Sequence, residues 1–190
     1  MKSVEKEIFD YLSRKLSPKR FEHSYNVSVL ASELAEIHGE NILKAQTAGL
    51  LHDCAKSMTD KQMISFLKNK NVKIPYFKEM SEKSPQLLHS FAAAEIAKEK
   101  FGIKDADLLN AIKSHTLGRE DMSLLEKIIF VADSASVDRK CKHSAGIRKL
   151  ARKDIEKAFI KALSKKITYI IGEKEPIFPQ TIITWNYYVS

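Results

Sequence analysis

The sequence predicts an all-α fold: one helical domain ending in a short irregular carboxy-terminal tail. Apolar residues recur at three- and four-residue spacing along most of the chain, while strict alternation is rare. The six glycines and five prolines sit mostly at the edges of these periodic segments, which leaves little room for a sheet. Cap signals stand where helices should begin and end.

In chain order, helices are expected over 3–16, 19–38, 41–55, 59–69, 85–101, 105–116, 123–136, 144–152 and 154–171. Thr59 with Gln62, and Ser123 with Glu126, fit the capping box, in which a hydroxyl and an acid or amide satisfy each other's free backbone N–H groups. Ser84-Pro85 places a cap and then a proline in a first turn. Gly39 and Gly102 stand where helices should stop. Asn71 to Lys83 is expected as a connecting loop. The tail, EPIFPQTIITWNYYVS, carries two prolines and several β-branched residues and is expected to be irregular. With no internal repeat, low-complexity tract or linker, residues 1–190 are expected to form a single domain.

A chain of 190 residues, 44% hydrophobic and 29% charged, can bury a proper core and does not have the composition of a disordered protein. No apolar run approaches the roughly 20 residues that span a bilayer. The start, MKSVEKEIFDYL, lacks the apolar core of a secretory signal. Cys54 and Cys141 are too few for a disulfide framework or a cysteine-rich zinc site, so a cytoplasmic protein with both thiols reduced is expected. The net charge of +8 points to anionic partners. Much of it lies between Arg139 and Lys166, where a solvated helix face is the ordinary explanation. Nucleic acid and phosphorylated small molecules are the functional ones.

Residues three, four and seven apart share a helix face. In 19–38 the stripe Val27, Leu30, Leu34 and Ile37 extends back to His23. In 41–55, Ala45, Ala48 and Gly49 run on to His52, with Asp53 beside it. His89 heads Ala92, Ala93 and Ile96; Leu108, Ala111 and Ile112 lead to His115; Leu125 and Ile129 lead to Asp133. One such histidine is ordinarily a satisfied core or rim residue. Five stripes ending the same way are harder to assign to packing, because each buried polar group costs a few kcal/mol unless paired. A shared Fe, Mn, Zn, Co or Ni ion would satisfy all of them, and the lack of cysteine ligands argues against a structural zinc. His38 and His143 fall outside the pattern and are expected at the surface.

The order His23, His52-Asp53, Asp133 resembles the HD superfamily of metal-dependent phosphohydrolases. The segments RFEHSYNV, AGLLHDCAK, LLHSFAAAEIAKEKFGI, AIKSHTLG, MSLLEKIIFVAD and PIFPQTIITWN narrow the likeness to its YqeK family, over about residues 18 to 187. That resemblance implies an HD-domain helical bundle, with a core over about 18–136, and carboxy-terminal helices with a nucleotide-closing tail over 137–190. It implies symmetrical hydrolysis of diadenosine tetraphosphate to two ADP with a bound iron. By the same resemblance, the metal ligands are His23, His52, Asp53 and Asp133. Arg20, the segment Asp53, Cys54, Ala55 and Lys56, then His89, His115, Thr116 and Arg139 lie around the phosphates. Pro176, Ile177, Phe178, Pro179 and Thr181 close over the nucleotide. The family carries a glutamate where this chain has Ser136, within ADSASVDR.

Four ligands leave two positions of a six-coordinate ion open. Arg20 and Lys56 each lie three residues from a ligand, on its helix face, where a cation neutralises phosphate charge. His89 and His115 are expected as phosphate contacts or as acid to the leaving group, with a second metal bridged by Asp53 as the alternative. Cys54, although within the phosphate segment, faces away and is expected to pack. Two other functions stand beside this one: hydrolysis of mononucleotides, and metal-independent binding of nucleotide or RNA. No basic strand interleaved with aromatics supports nucleic acid, and a homodimer is open to the chain.

Overall fold

The computed structural model describes residues 2–139 and 142–190, so the expectation for the Cys141 thiol lies outside the described residues. The helices are α1 (Lys2–Lys15), α2 (Pro18–His38), α3 (Ile42–Leu51), α4 (Asp60–Asn69), α5 (Phe77–Lys83), α6 (His89–Phe101), α7 (Ala106–Ser114), α8 (Leu124–Ala135), α9 (Lys142–Ala151), α10 (Ile155–Gly172) and α11 (Pro179–Val189). Short 3-10 turns cover Cys54–Ser57 and Pro85–Leu88, and there is no strand among the described residues. Among the described residues, no helix is long and apolar enough to cross a membrane.

Helix α8 is the axis of the bundle. Leu125, Ile128, Ile129, Phe130, Val131, Ala132 and Ala135 are all buried, as expected of a helix apolar on nearly every side. Helices α2, α3, α7, α9 and α10 pack around it, with α6 against α7 and α11 against α10. Both capping boxes form, at Thr59 with Gln62 and at Ser123 with Glu126. Gly49 marks a close approach of two helices: a Cβ there would lie 2.6 Å from Ser28 Cα, so only glycine lets α3 lie this near α2.

Several sequence expectations need correction. The helix expected over 41–55 stops at Leu51, and the one expected over 85–101 opens as a 3-10 turn before α6. The stretch expected as a loop contains α5, anchored by the buried Met80. Met80 and the partly buried Phe77 alone make no extended periodic stripe. The tail is not irregular, since α11 occupies most of it. Pro179 stands at its first turn, where a missing N–H costs nothing. Thr181 and Thr184 are buried beneath it, and Thr184 Oγ1 donates to Gln180 O at 2.7 Å and lies 3.2 Å from Leu117 O. Packing of this kind overrides weak helix propensity. His38 is half-buried rather than at the surface, its Nε2 2.6 Å from Ala151 O. His143 is exposed, as expected.

Candidate metal centre

Five segments meet at one end of the bundle. His23 comes from the second turn of α2, and Asp133 from the last turns of α8. His52 caps α3, with Asp53 at the junction to the 3-10 turn that carries Lys56. His89 opens α6, and His115 caps α7. The close approach at Gly49 brings the His23 and His52 rings to a centroid separation of 5.3 Å. The His52 and His115 rings lie at 4.9 Å, and His89 and His115 at 5.0 Å.

The hydrogen bonds fix what these rings can do. Nδ1 of His52, His89 and His115 lies 2.7, 2.5 and 2.7 Å from the carbonyl oxygens of Gly49, Gln86 and Ile112. A carbonyl only accepts, so each Nδ1 carries the proton and each neutral ring offers a bare lone pair at Nε2. Burial pushes His52 down to about 4, against the opposing pull of Asp53. Burial likewise lowers His89 and His115, so all three are neutral near pH 7.

Those lone pairs face other acceptors. His89 Nε2 is 3.1 Å from His115 Nε2 and 3.1 Å from Asp53 Oδ1, which lies 3.6 Å from His115 Nε2. His52 Nε2 is 3.6 Å from Asp53 Oδ2 and 3.9 Å from Asp133 Oδ1. His52 Nε2 and Asp53 Oδ1 have no hydrogen-bond partner among the described residues, although both are buried. Burial alone would raise Asp53, yet His52, His115 and His89 hold it well below the usual carboxylate range. Asp133, likewise raised by burial, is held low by His23, His52 and Arg139. Neutral imidazole lone pairs converging with ionised carboxylates, with His52 Nε2 and Asp53 Oδ1 lacking any donor among the described residues, are what a cation satisfies. Two groups have their ligand atoms within 4.8 Å of one another: His23, His52 and Asp53, then Asp53, His89 and His115. Their N and O donors fit a borderline transition metal.

His23 Nε2 lies 3.0 Å from Asp133 Oδ1, and its Nδ1 lies 2.7 Å from Asp138 Oδ2. Burial would lower His23, but Asp133 and Asp138 raise it overall. Asp138 is a site residue that the sequence reading missed. It orients His23 from behind, as carboxylates commonly do for metal-binding imidazoles.

The cations divide. Lys56 Nζ is 2.9 Å from Asp53 Oδ2. Arg139 donates from Nη2 to Asp133 Oδ1 at 2.6 Å and from Nε to the Asp133 carbonyl at 3.1 Å. Arg20 is exposed, one turn before His23. Cys54 and Ala55 are fully buried, with Cys54 Sγ 3.8 Å from the Ala93 carbonyl, so their side chains belong to the core and leave only backbone for a ligand. Burial pushes the Cys54 thiol up, which leaves it unreactive. Ser136, where a glutamate was expected, is a buried hydroxyl at the end of α8.

Beside His89 and His115 lies a cavity of about 230 Å³, lined by Gln86, Thr116, Lys166, Tyr169, Phe178 and Thr181 among others. Pro176 also lines it; Ile177 is half-buried, and Pro179 is exposed at the start of α11. The tail therefore meets the Thr116 turn.

An all-α bundle with a His/Asp cluster at one end is the architecture expected of an HD-domain protein, and the HD domain family matches residues 20–138. The symmetrical bis(5'-nucleosyl)-tetraphosphatase of Bacillus subtilis is 33% identical over 179 residues, 94% of each chain. That of Staphylococcus aureus is 30% identical over 176 residues, 92% of this chain and 89% of the relative. A crystal structure from Clostridium acetobutylicum, of a predicted HD superfamily hydrolase involved in NAD metabolism, aligns with a TM-score of 0.92 at 38% identity, covering 97% of this chain and 96% of that one. The chain belongs to the HD-domain family and, within it, to the family of these symmetrical bis(5'-nucleosyl)-tetraphosphatases.

Proposed function

We infer that this chain hydrolyses diadenosine tetraphosphate symmetrically, releasing two molecules of ADP. The observation that carries the reading is the pair of buried, donorless acceptors at the neutral His52 Nε2 and the ionised Asp53 Oδ1, beside a cavity walled by Thr116 and the tail. His23, His52, Asp53 and Asp133 would hold the metal, with iron as our assignment. A metal bound there supplies positive charge to the phosphate and lowers the pKa of water, from 15.7 to about 7 in the best-known case.

The protein's residues do the remainder. Lys56, Arg139 and Arg20 bring cations to the face that carries His23 and Asp53, where they offset the charge of the polyphosphate. Breaking the central P–O–P bridge leaves ADP with the bridging oxygen, an anion that such cations stabilise without a proton donor. Thr116 offers a hydroxyl, Asp53 to Lys56 their backbone, and Pro176, Phe178 and Thr181 wall one nucleoside; Ile177 and Pro179 hold the tail in place. We place the reaction in the cytoplasm, with neither membrane nor nucleic acid as partner.

A second reading of His89 and His115 has specific support. As neutral rings with Nδ1 held by carbonyls, they present Nε2 as an acceptor, which suits a cation better than a phosphate oxygen. Together with Asp53 Oδ1 they fit a second cation. Elemental analysis of protein purified without chelators separates one ion per chain from two.

Product chromatography tests the function itself. ADP should be the sole primary nucleotide product. ATP and AMP as the first pair would overturn the symmetrical assignment.

A further inference from the structure

The basic run from Arg139 to Lys166 ends in a residue that does not behave like its neighbours. Lys161 and Lys165 are exposed on α10, as expected of a solvated face. Lys166 turns inward. Its Nζ donates to the carbonyls of Thr116, at 2.6 Å, and His115, at 3.3 Å, and lies 4.6 Å from the Phe130 ring centroid. Those contacts satisfy two of the three N–H bonds but neutralise no charge. No carboxylate among the described residues lies within ion-pair distance of Nζ. Burial accordingly lowers Lys166 to about 8.

An ammonium held partly out of water with no carboxylate beside it is completed by an anion. Lys166 lines the cavity shared by Thr116, Gln86, Phe178 and Thr181, and Gln86 also holds His89 through its carbonyl. Through the His115 and Thr116 carbonyls, Nζ sits where this cavity meets the turn that carries His115. The anion that completes it must come through that cavity.

We propose that Lys166 is a substrate-binding residue whose third N–H and charge take a phosphate oxygen of the nucleotide half lodged in this cavity. It thereby selects a phosphorylated ligand over the bare nucleoside. The assignment rests on the nucleotide reading above and adds a contact inside the same site. Lys166 also braces the carbonyls behind His115 and Thr116, so a purely structural role is the rival to exclude.

The test compares ADP, inorganic pyrophosphate and adenosine as ligands of the metal-loaded protein. Lys166→Met removes charge and donor at similar length, while Lys166→Gln keeps a neutral donor for the carbonyls. Both should weaken ADP and pyrophosphate by roughly tenfold or more, with adenosine affinity and metal content unchanged. Equal weakening of ADP and adenosine would mean that Lys166 only shapes the turn. Unchanged ADP affinity would also overturn the proposal. Should neither variant fold, the wild-type protein decides through reductive methylation followed by mass spectrometry. ADP but not adenosine should shield Lys166, and equal labelling with and without ADP would refute the contact. Cleavage of the tetraphosphate by the wild type reports separately on the underlying reading. A protein that binds ADP through Lys166 yet leaves the tetraphosphate intact would remove the substrate and keep the residue.

Discussion

His23 differs from the other imidazoles of the centre in having carboxylates at both nitrogens, Asp133 at Nε2 and Asp138 at Nδ1. A ring so flanked is fixed in direction before any ion arrives, and its Nδ1–H is drawn towards Asp138. Burial alone would raise Asp138, but the Ser136 hydroxyl and His23 bring it below its ordinary value. Asp138→Asn keeps the shape and removes the charge, so metal affinity should fall by about 10- to 100-fold with the fold intact. Titration against a competing chelator measures this, and wild-type affinity in the variant would show that His23 is oriented by something else. Asp138 had no signal in the sequence because it follows the end of α8 and extends no apolar stripe. His23, His52 and Asp133 were legible because each continues a helical face that the core already requires. Lys166 was hidden for the opposite reason, as one lysine beside others, such as Lys161 and Lys165, that face solvent.

At the scale of elements, the turn after α7 decides whether the tail meets the centre. Gly118 sits there with φ +68°, and a Cβ on it would come within 2.6 Å of Thr184 Cγ2 on α11. Thr184 Oγ1 also reaches Leu117 O, and the Tyr188 hydroxyl accepts from Met122 N at 2.6 Å, so α11 is pinned to this turn along its length. Gly118→Ala should cost about 1–3 kcal/mol through backbone strain and the clash, most of it in the docking of α11. The steady-state signature is a KM for the tetraphosphate raised about tenfold, with metal content retained. Thr184→Ser removes the clashing methyl and keeps the hydroxyl, so adding it should restore part of the loss, as a double-mutant cycle would show. If KM stays put in Gly118→Ala, α11 has no part in holding substrate. The helical character of α11 was not legible because local propensity opposed it. Proline and β-branched residues predict an irregular segment, and distant partners, Leu117, Gly118 and Met122 some 65 residues earlier together with Phe159 on α10, make it a helix. The α2, α3 and α8 stripes needed no such information, since burial against any apolar partner yields the same period.

Across the whole molecule, the candidate ligands draw α2, the α3 junction and α8 to one point, and His89 with His115 adds α6 and α7. An ion there cross-links the bundle, and its removal should be felt globally. Without metal, burial holds His52 at about 4, against roughly 6.5 in the unfolded chain. Between those values the unfolded chain takes up a proton that the folded chain refuses, so stability falls as pH drops through that window. His89 and His115, also lowered by burial, act in the same direction. His23, raised, opposes them: its contribution is present below about 6.5 and lost as pH rises through its folded value. Asp53 and Asp133, held low, contribute stability that is complete above about 3.9 and lost only below it, so they leave the slope between pH 7 and pH 5 unchanged. Three imidazoles outweigh one, so the chelated protein should lose on the order of a few kcal/mol between pH 7 and pH 5. At pH 7.5, an ion at a thousand times its Kd adds about 4 kcal/mol, so chelation should lower Tm by roughly 8–16 °C for a chain of this size. That gap should narrow towards pH 5, because protons compete with the ion for the same lone pairs. Melting curves with and without chelator, at matched pH, read both effects. A midpoint that chelation leaves unmoved at every pH would mean that no ion ties these helices together.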